Sequence, residues 1–143
     1  MSPLVRSVLA VLAGLMAAFI AIMIVQQLSA MLYPWPAGAD PKDPAVLKAF
    51  ISTLPPGAFL IVLLGYLLGA LSGGYLAARL APSRRAVHAG IIAVLLLAAS
   101  IMNLMAIPHP AWFMGANVII VAAAPFLAAR LAEPHAIAAQ GEV

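Results

Sequence analysis

The sequence predicts an all-α membrane protein: four transmembrane helices in a compact bundle, two antiparallel hairpins, and a short periplasmic amphipathic helix. Composition is the first observation. Of 143 residues, 66% are hydrophobic and 8% charged, with a mean hydropathy of +1.13. Soluble domains carry about 45–50% apolar and about 25% charged residues. Second, runs long enough to cross a bilayer recur at about 5–33, 57–81, 84–107 and 111–132. Third, proline collects between these runs, and the 34–55 connection holds four of the eleven charged residues. The whole chain, 1–143, reads as a single transmembrane domain.

The same numbers exclude several function classes. The net charge of +3 rests on seven Lys and Arg residues, too few and too scattered for a nucleic-acid partner. With no cysteine, disulfides, thiolate metal sites, iron–sulfur clusters and thiol nucleophiles are ruled out. The partner that composition implies is the lipid bilayer.

The first span runs from Val5 to Tyr33. Its start imitates a secretory signal, with Arg6 and then an apolar run. From Val8 to Val25 that run is 18 residues, longer than the roughly 7–15 of a signal segment. An uncleaved span is expected. Gly14 and the alanines at 10, 17, 18 and 21 supply small packing residues, and Gln26 and Gln27 are its polar groups. Tyr33-Pro34-Trp35-Pro36 ends it, with aromatics suited to the headgroup level.

A polar connection follows, with Gly38-Ala39-Asp40-Pro41 read as a turn. Asp43 before Pro44 predicts a helix start over about 44–54, since aspartate caps the amides and proline suits the first turn. Val46, Leu47, Phe50, Ile51 and Leu54 share one face of this segment, with Lys42 and Lys48 off it. A helix at the membrane surface, or folded over the bundle mouth, is expected; an ordinary loop helix is the alternative.

The second span starts after Pro55-Pro56. It carries Gly65, Gly69 and Gly73 at four-residue spacing, followed by Gly74. That spacing stacks the glycines on one face, as helix packing requires within a chain or between copies. Pro82-Ser83-Arg84-Arg85 makes a basic turn, with Ser83 expected to cap the third helix. Pro108-His109-Pro110 joins spans three and four as a tight hairpin. Pro125 is expected to kink the fourth span, and 133–143 reads as a tail.

Arg6, Arg79, Arg84, Arg85 and Arg130 fall on one side of the bilayer, and Lys42, Lys48 and both aspartates on the other. The positive-inside rule then places both termini in the cytoplasm. Spans two and four also end alike, as Tyr75-Leu-Ala-Ala-Arg-Leu-Ala and Phe126-Leu-Ala-Ala-Arg-Leu-Ala. Two readings stay open: a duplicated hairpin, or two helices meeting the same interface with the same residue types.

No Asp, Glu, Lys or Arg lies in the middle of a span, which disfavours ion-coupled transport. Gln26, Gln27, Asn103 and Asn117 share a depth beneath His109. They could line a polar pocket for a headgroup or small molecule, or they could bond between helices because unpaired amides in lipid are costly. The three histidines cannot meet, so no metal or haem ligand set is expected and no cofactor is called for. Ser72 and Ser100 have no histidine at their depth, and an enzyme is not expected.

Leu32-Tyr33-Pro34, the 36–43 loop, Leu54-Pro55-Pro56-Gly57-Ala58-Phe59, the glycine ladder and Ile107-Pro108-His109-Pro110-Ala111-Trp112-Phe113 together resemble a group of small, uncharacterised bacterial inner-membrane proteins. The resemblance covers nearly the whole chain. It implies four spans in a bacterial inner membrane and carries no activity. The function expected is that of a non-enzymatic accessory, structural or interaction protein, as a homo-oligomer or in a larger complex. The alternative is a small oligomeric transporter or channel, or a lipid binder using the polar layer.

Overall fold

The structure, a computed structural model, describes residues 2–40 and 42–132. The predicted tail, 133–143, lies outside them. Among the described residues five helices form: α1 Pro3–Leu32, α2 Pro44–Thr53, α3 Pro56–Leu80, α4 Arg85–Ala106 and α5 Ala111–Leu131. α1, α3, α4 and α5 are each long and apolar enough to span a membrane, and they pack as a bundle.

Local chemistry accounts for the helix ends. Ser2 accepts from the Val5 amide and Asp43 from the Ala45 amide, and proline follows each cap. The expected start of α2 is therefore observed. The turn before it sits two residues earlier than the sequence suggests. The Ala39 amide donates to the Pro36 carbonyl, and Gly38 takes the positive φ of +78° that such a turn requires. Trp35 donates its indole N–H to the Ala39 carbonyl, folding the loop onto itself.

The predicted Ser83 cap is a correction. The residue capping α4 is Arg84, in left-handed backbone with φ of +48° and no side-chain cap bond. Three residues, Pro82 to Arg84, must reverse the chain between α3 and α4. A positive φ at the last of them makes that reversal. The amides of Val87 and His88 then take the Arg84 carbonyl.

α3 is the central helix, touching α1, α4 and α5; α1 and α5 do not meet. The glycine ladder forms the α1–α3 seam, so it packs within the chain. A methyl added to Gly69 would lie 2.6 Å from Ile22 Cγ1 and 3.0 Å from the Ala18 carbonyl oxygen. One on Gly73 would lie 2.9 Å from both Ala18 Cβ and the Gly14 carbonyl oxygen. Gly65 faces Val25, so pairing numbers fall on α1 as they rise on α3, which makes the two helices antiparallel. Lipid tails are as apolar as these side chains, so close backbone approach supplies the attraction.

The other face of α3 meets α5. Pro125 is fully buried within α5, and a methyl on Gly74 would stand 2.5 Å from its Cα. Proline there leaves the Val121 carbonyl without its helical donor. Gly74 and Pro125 precede the two similar helix ends, and they touch. Tyr75 and Phe126 are exposed, the alanine pairs 77–78 and 128–129 buried, and Arg79 and Arg130 exposed. The two ends therefore share one burial register across a parallel contact. The likeness stops short of the other helices, because α4 meets α5 through Ala89, Gly90 and Ser100 without a glycine ladder.

Arg6, Arg79, Arg85 and Arg130 occupy first or last turns, all at the end of the bundle that holds the 82–85 turn. That end is called the basic end below; the opposite end, holding α2 and the Pro108 loop, is the loop end.

Candidate functional site

The loop end is built from rings. Phe59 in the first turn of α3 and Phe113 in the first turn of α5 lie 5.7 Å apart edge to face, with Trp112 also against Phe59 at 6.1 Å. Both phenylalanines are buried and join Leu63 and Leu104 in a core cluster. Proline before each helix brings the chain in extended backbone, so both aromatics fall just inside the bundle.

His109 stacks flat on Phe113, with centroids 4.7 Å apart and an angle of 8°. Its Nδ1 lies 2.7 Å from the Ile107 carbonyl. A carbonyl only accepts, so Nδ1 carries the proton, and the neutral ring keeps Nε2 as an acceptor. Burial lowers the His109 pKa below 6.5, outweighing the backbone hydrogen bond that raises it. Burial thus favours the neutral ring.

α2 lies across this end through side chains. Ile51 and Leu54 pack on the Phe59–Phe113 cluster, and Phe50 meets Trp35 at 4.7 Å. Two open cavities flank it. One, of about 280 Å³, lies between α2 and the Pro108 loop. Ile51, Leu54 and Phe59 give its apolar lining, and Lys48, Ser52 and His109 its polar groups. The other, of about 250 Å³, lies toward α1 and is lined by Gln26, Tyr33, Trp35 and Phe50 among others.

The five predicted polar-layer residues are distributed rather than gathered. Asn117 is fully buried between helices, and its side-chain oxygen accepts from Ser100, also buried. Its Nδ2 has no partner among the described residues. Gln26 lines the α1-side cavity and His109 the other. Gln27 is exposed on α1, and Asn103 is half-buried on α4. Equal depth does not bring side chains together when they point around different helices.

Sequence reasoning missed Lys48 and Ser52 as cavity residues. Lys48 falls off the apolar face of α2, and that position is what sets it at the cavity rim. Ser52 donates to the Ala49 carbonyl at 2.7 Å, so its oxygen keeps free lone pairs. At the basic end, His88 is buried with Nδ1 3.3 Å from the Arg84 carbonyl. Among the described residues no three His, Cys, Asp or Glu side chains come together as a metal site.

Compared with protein-family models, curated proteins and solved structures, the chain matches none.

Proposed function

We propose that the chain is a non-enzymatic accessory or interaction protein of a bacterial inner membrane, with both termini and the 82–85 turn facing the cytoplasm. It works by presenting its lipid-facing helix surface to a larger membrane complex or to a second copy of itself.

The observation that carries this reading is the closed interior. At Gly14 against Gly73, and at Gly74 against Pro125, a methyl group would overlap backbone atoms at 2.5–2.9 Å. Contacts this close leave no gap for a water at either seam. The buried Ser100–Asn117 pair is a single local bond between α4 and α5. Neither of these two seams offers a solute path, and the Ser100–Asn117 pair does not extend into a chain of polar groups among the described residues, which disfavours the transporter alternative for the single chain. With these seams shut, the proposed recognition is assigned to the surface. There α1 is the least enclosed span, with 22% of its apolar window buried against 39% for α3. Phe19, Ile24 and Met31 stand out from it, each more than half exposed.

A photocrosslinking amino acid placed at Phe19 and, separately, at Ile119 on α5 tests the reading in native membranes. Discrete protein adducts from Phe19, with only lipid adducts from Ile119, are expected. Lipid adducts alone at both positions, together with solute flux through the reconstituted chain, would overturn it in favour of a transporter.

A further inference from the structure

The cavity between α2 and the Pro108 loop joins three features that no packing role requires. A cation stands at its rim, two hydrogen-bond acceptors line it, and its floor is apolar. Lys48 is exposed on α2 and supplies the cation. The carboxylates nearest to it in sequence are engaged elsewhere: Asp43 takes the Ala45 amide at 2.8 Å and Asp40 the Lys42 amide at 2.9 Å. Ser52 uses its hydroxyl hydrogen in the hydrogen bond it donates to the Ala49 carbonyl. His109 has committed Nδ1 to the Ile107 carbonyl, leaving Nε2 as the ring's remaining polar atom. Both side chains can therefore accept from a ligand, while Lys48 can only donate. Phe59, Ile51 and Leu54 complete the lining.

We propose that this cavity binds the headgroup of a glycerophospholipid that carries its own hydrogen-bond donor, an ammonium or a hydroxyl. The phosphodiester pairs with Lys48. The donor beyond it reaches Ser52 Oγ and His109 Nε2, and the glycerol and first acyl carbons lie on Phe59, Ile51 and Leu54. Position supports the match. Phe59 is in the first turn of α3, and His109 is one residue before the N-cap of α5, so the cavity sits where two spans leave the apolar layer. Phosphates of one leaflet lie at that level. A volume of about 280 Å³ with one open side holds a headgroup but not whole acyl chains, which stay in the bilayer. The site goes beyond the interaction role proposed above; either can hold without the other.

Native mass measurement on the full chain in detergent tests the site directly. The probes are phosphatidylethanolamine and phosphatidylglycerol, which carry donors, phosphatidylcholine, whose ammonium has no N–H, and free glycerol phosphate. The two donor lipids are expected to bind up to about tenfold more tightly than phosphatidylcholine, the worth of one well-made hydrogen bond. Lys48→Met should weaken both by a similar factor without harm to folding, because Lys48 is exposed. His109→Phe keeps a ring against Phe113 and should reduce the preference over phosphatidylcholine. Equal binding of all three lipids, or unchanged binding by Lys48→Met, would overturn the proposal. Glycerol phosphate binding as tightly as the lipids would assign the site to a soluble phosphate ester and overturn the lipid reading. If His109→Phe does not fold, the lipid comparison and Lys48→Met still decide.

Discussion

The two ends of this bundle solve the same packing problem with opposite materials. From mid-bundle to the basic end, α3 meets α1 through Gly14, Gly73 and Ala77 and meets α5 through Gly74, and at the glycines backbones approach until a methyl no longer fits. At the loop end, the contacts are Phe59, Trp112, Phe113 and His109, which hold the helices through rings and leave cavities with polar lining around α2, whereas the open grooves beside α4 toward the basic end are almost wholly apolar. Small residues close a membrane interior because each gains dispersion from a neighbouring backbone. Large rings fill space unevenly, and the gaps they leave are where polar groups from separate segments can converge. A closed seam beside an open rim is what a protein needs if it stays folded in lipid and does its recognition at a surface.

That contrast can be broken first at the seam. Gly69→Leu must displace Ile22 and push against the Ala18 carbonyl, so it should cost about 3 kcal/mol or more and lower the yield of folded protein. Thermal unfolding in detergent reads this, and a fully stable Gly69→Leu would mean that α1 is not held at this seam.

A smaller effect belongs to the buried polar pair. Ser100→Ala removes the donor to Asn117 and leaves a buried amide with no partner on either atom, at a cost of about 1–3 kcal/mol. Adding Asn117→Leu should restore most of that loss, since replacing both polar partners by apolar groups is close to neutral. A double-mutant cycle with no recovery would show that Asn117 serves something other than Ser100.

The architecture was legible in the sequence because bilayer crossing depends on properties that sum along a segment. Hydropathy over twenty residues, proline at helix starts and arginine at helix ends each announce themselves locally. The Asp43-Pro44 start and the glycine ladder were readable for the same reason. What stayed hidden depends on rotation about helix axes and on distant segments meeting. Gln26, Asn103 and Asn117 were expected at one depth, but Gln26 lines the α1-side cavity, Asn117 is buried against Ser100 and Asn103 is half-buried on α4. Ser83 looked like the better cap by residue type, yet the tight reversal put Arg84 in that place with left-handed backbone. The Lys48, Ser52 and His109 cavity draws on α2 and the Pro108 loop, more than fifty residues apart in sequence, and no local pattern links them.

The central claim is that backbone contact through glycine, within one chain, closes the bundle. The unfolding free energies of Gly74→Ala and Gly115→Ala test it most directly, because the substitution is the same and both sites are helical. At Gly74 the new methyl meets Pro125 Cα at 2.5 Å; at Gly115 nothing lies within 4 Å. The account predicts a loss of about 1–3 kcal/mol for Gly74→Ala from overpacking. It predicts a gain of up to about 1 kcal/mol for Gly115→Ala from helix propensity. Equal effects, or a Gly74→Ala chain as stable as the parent, would contradict it.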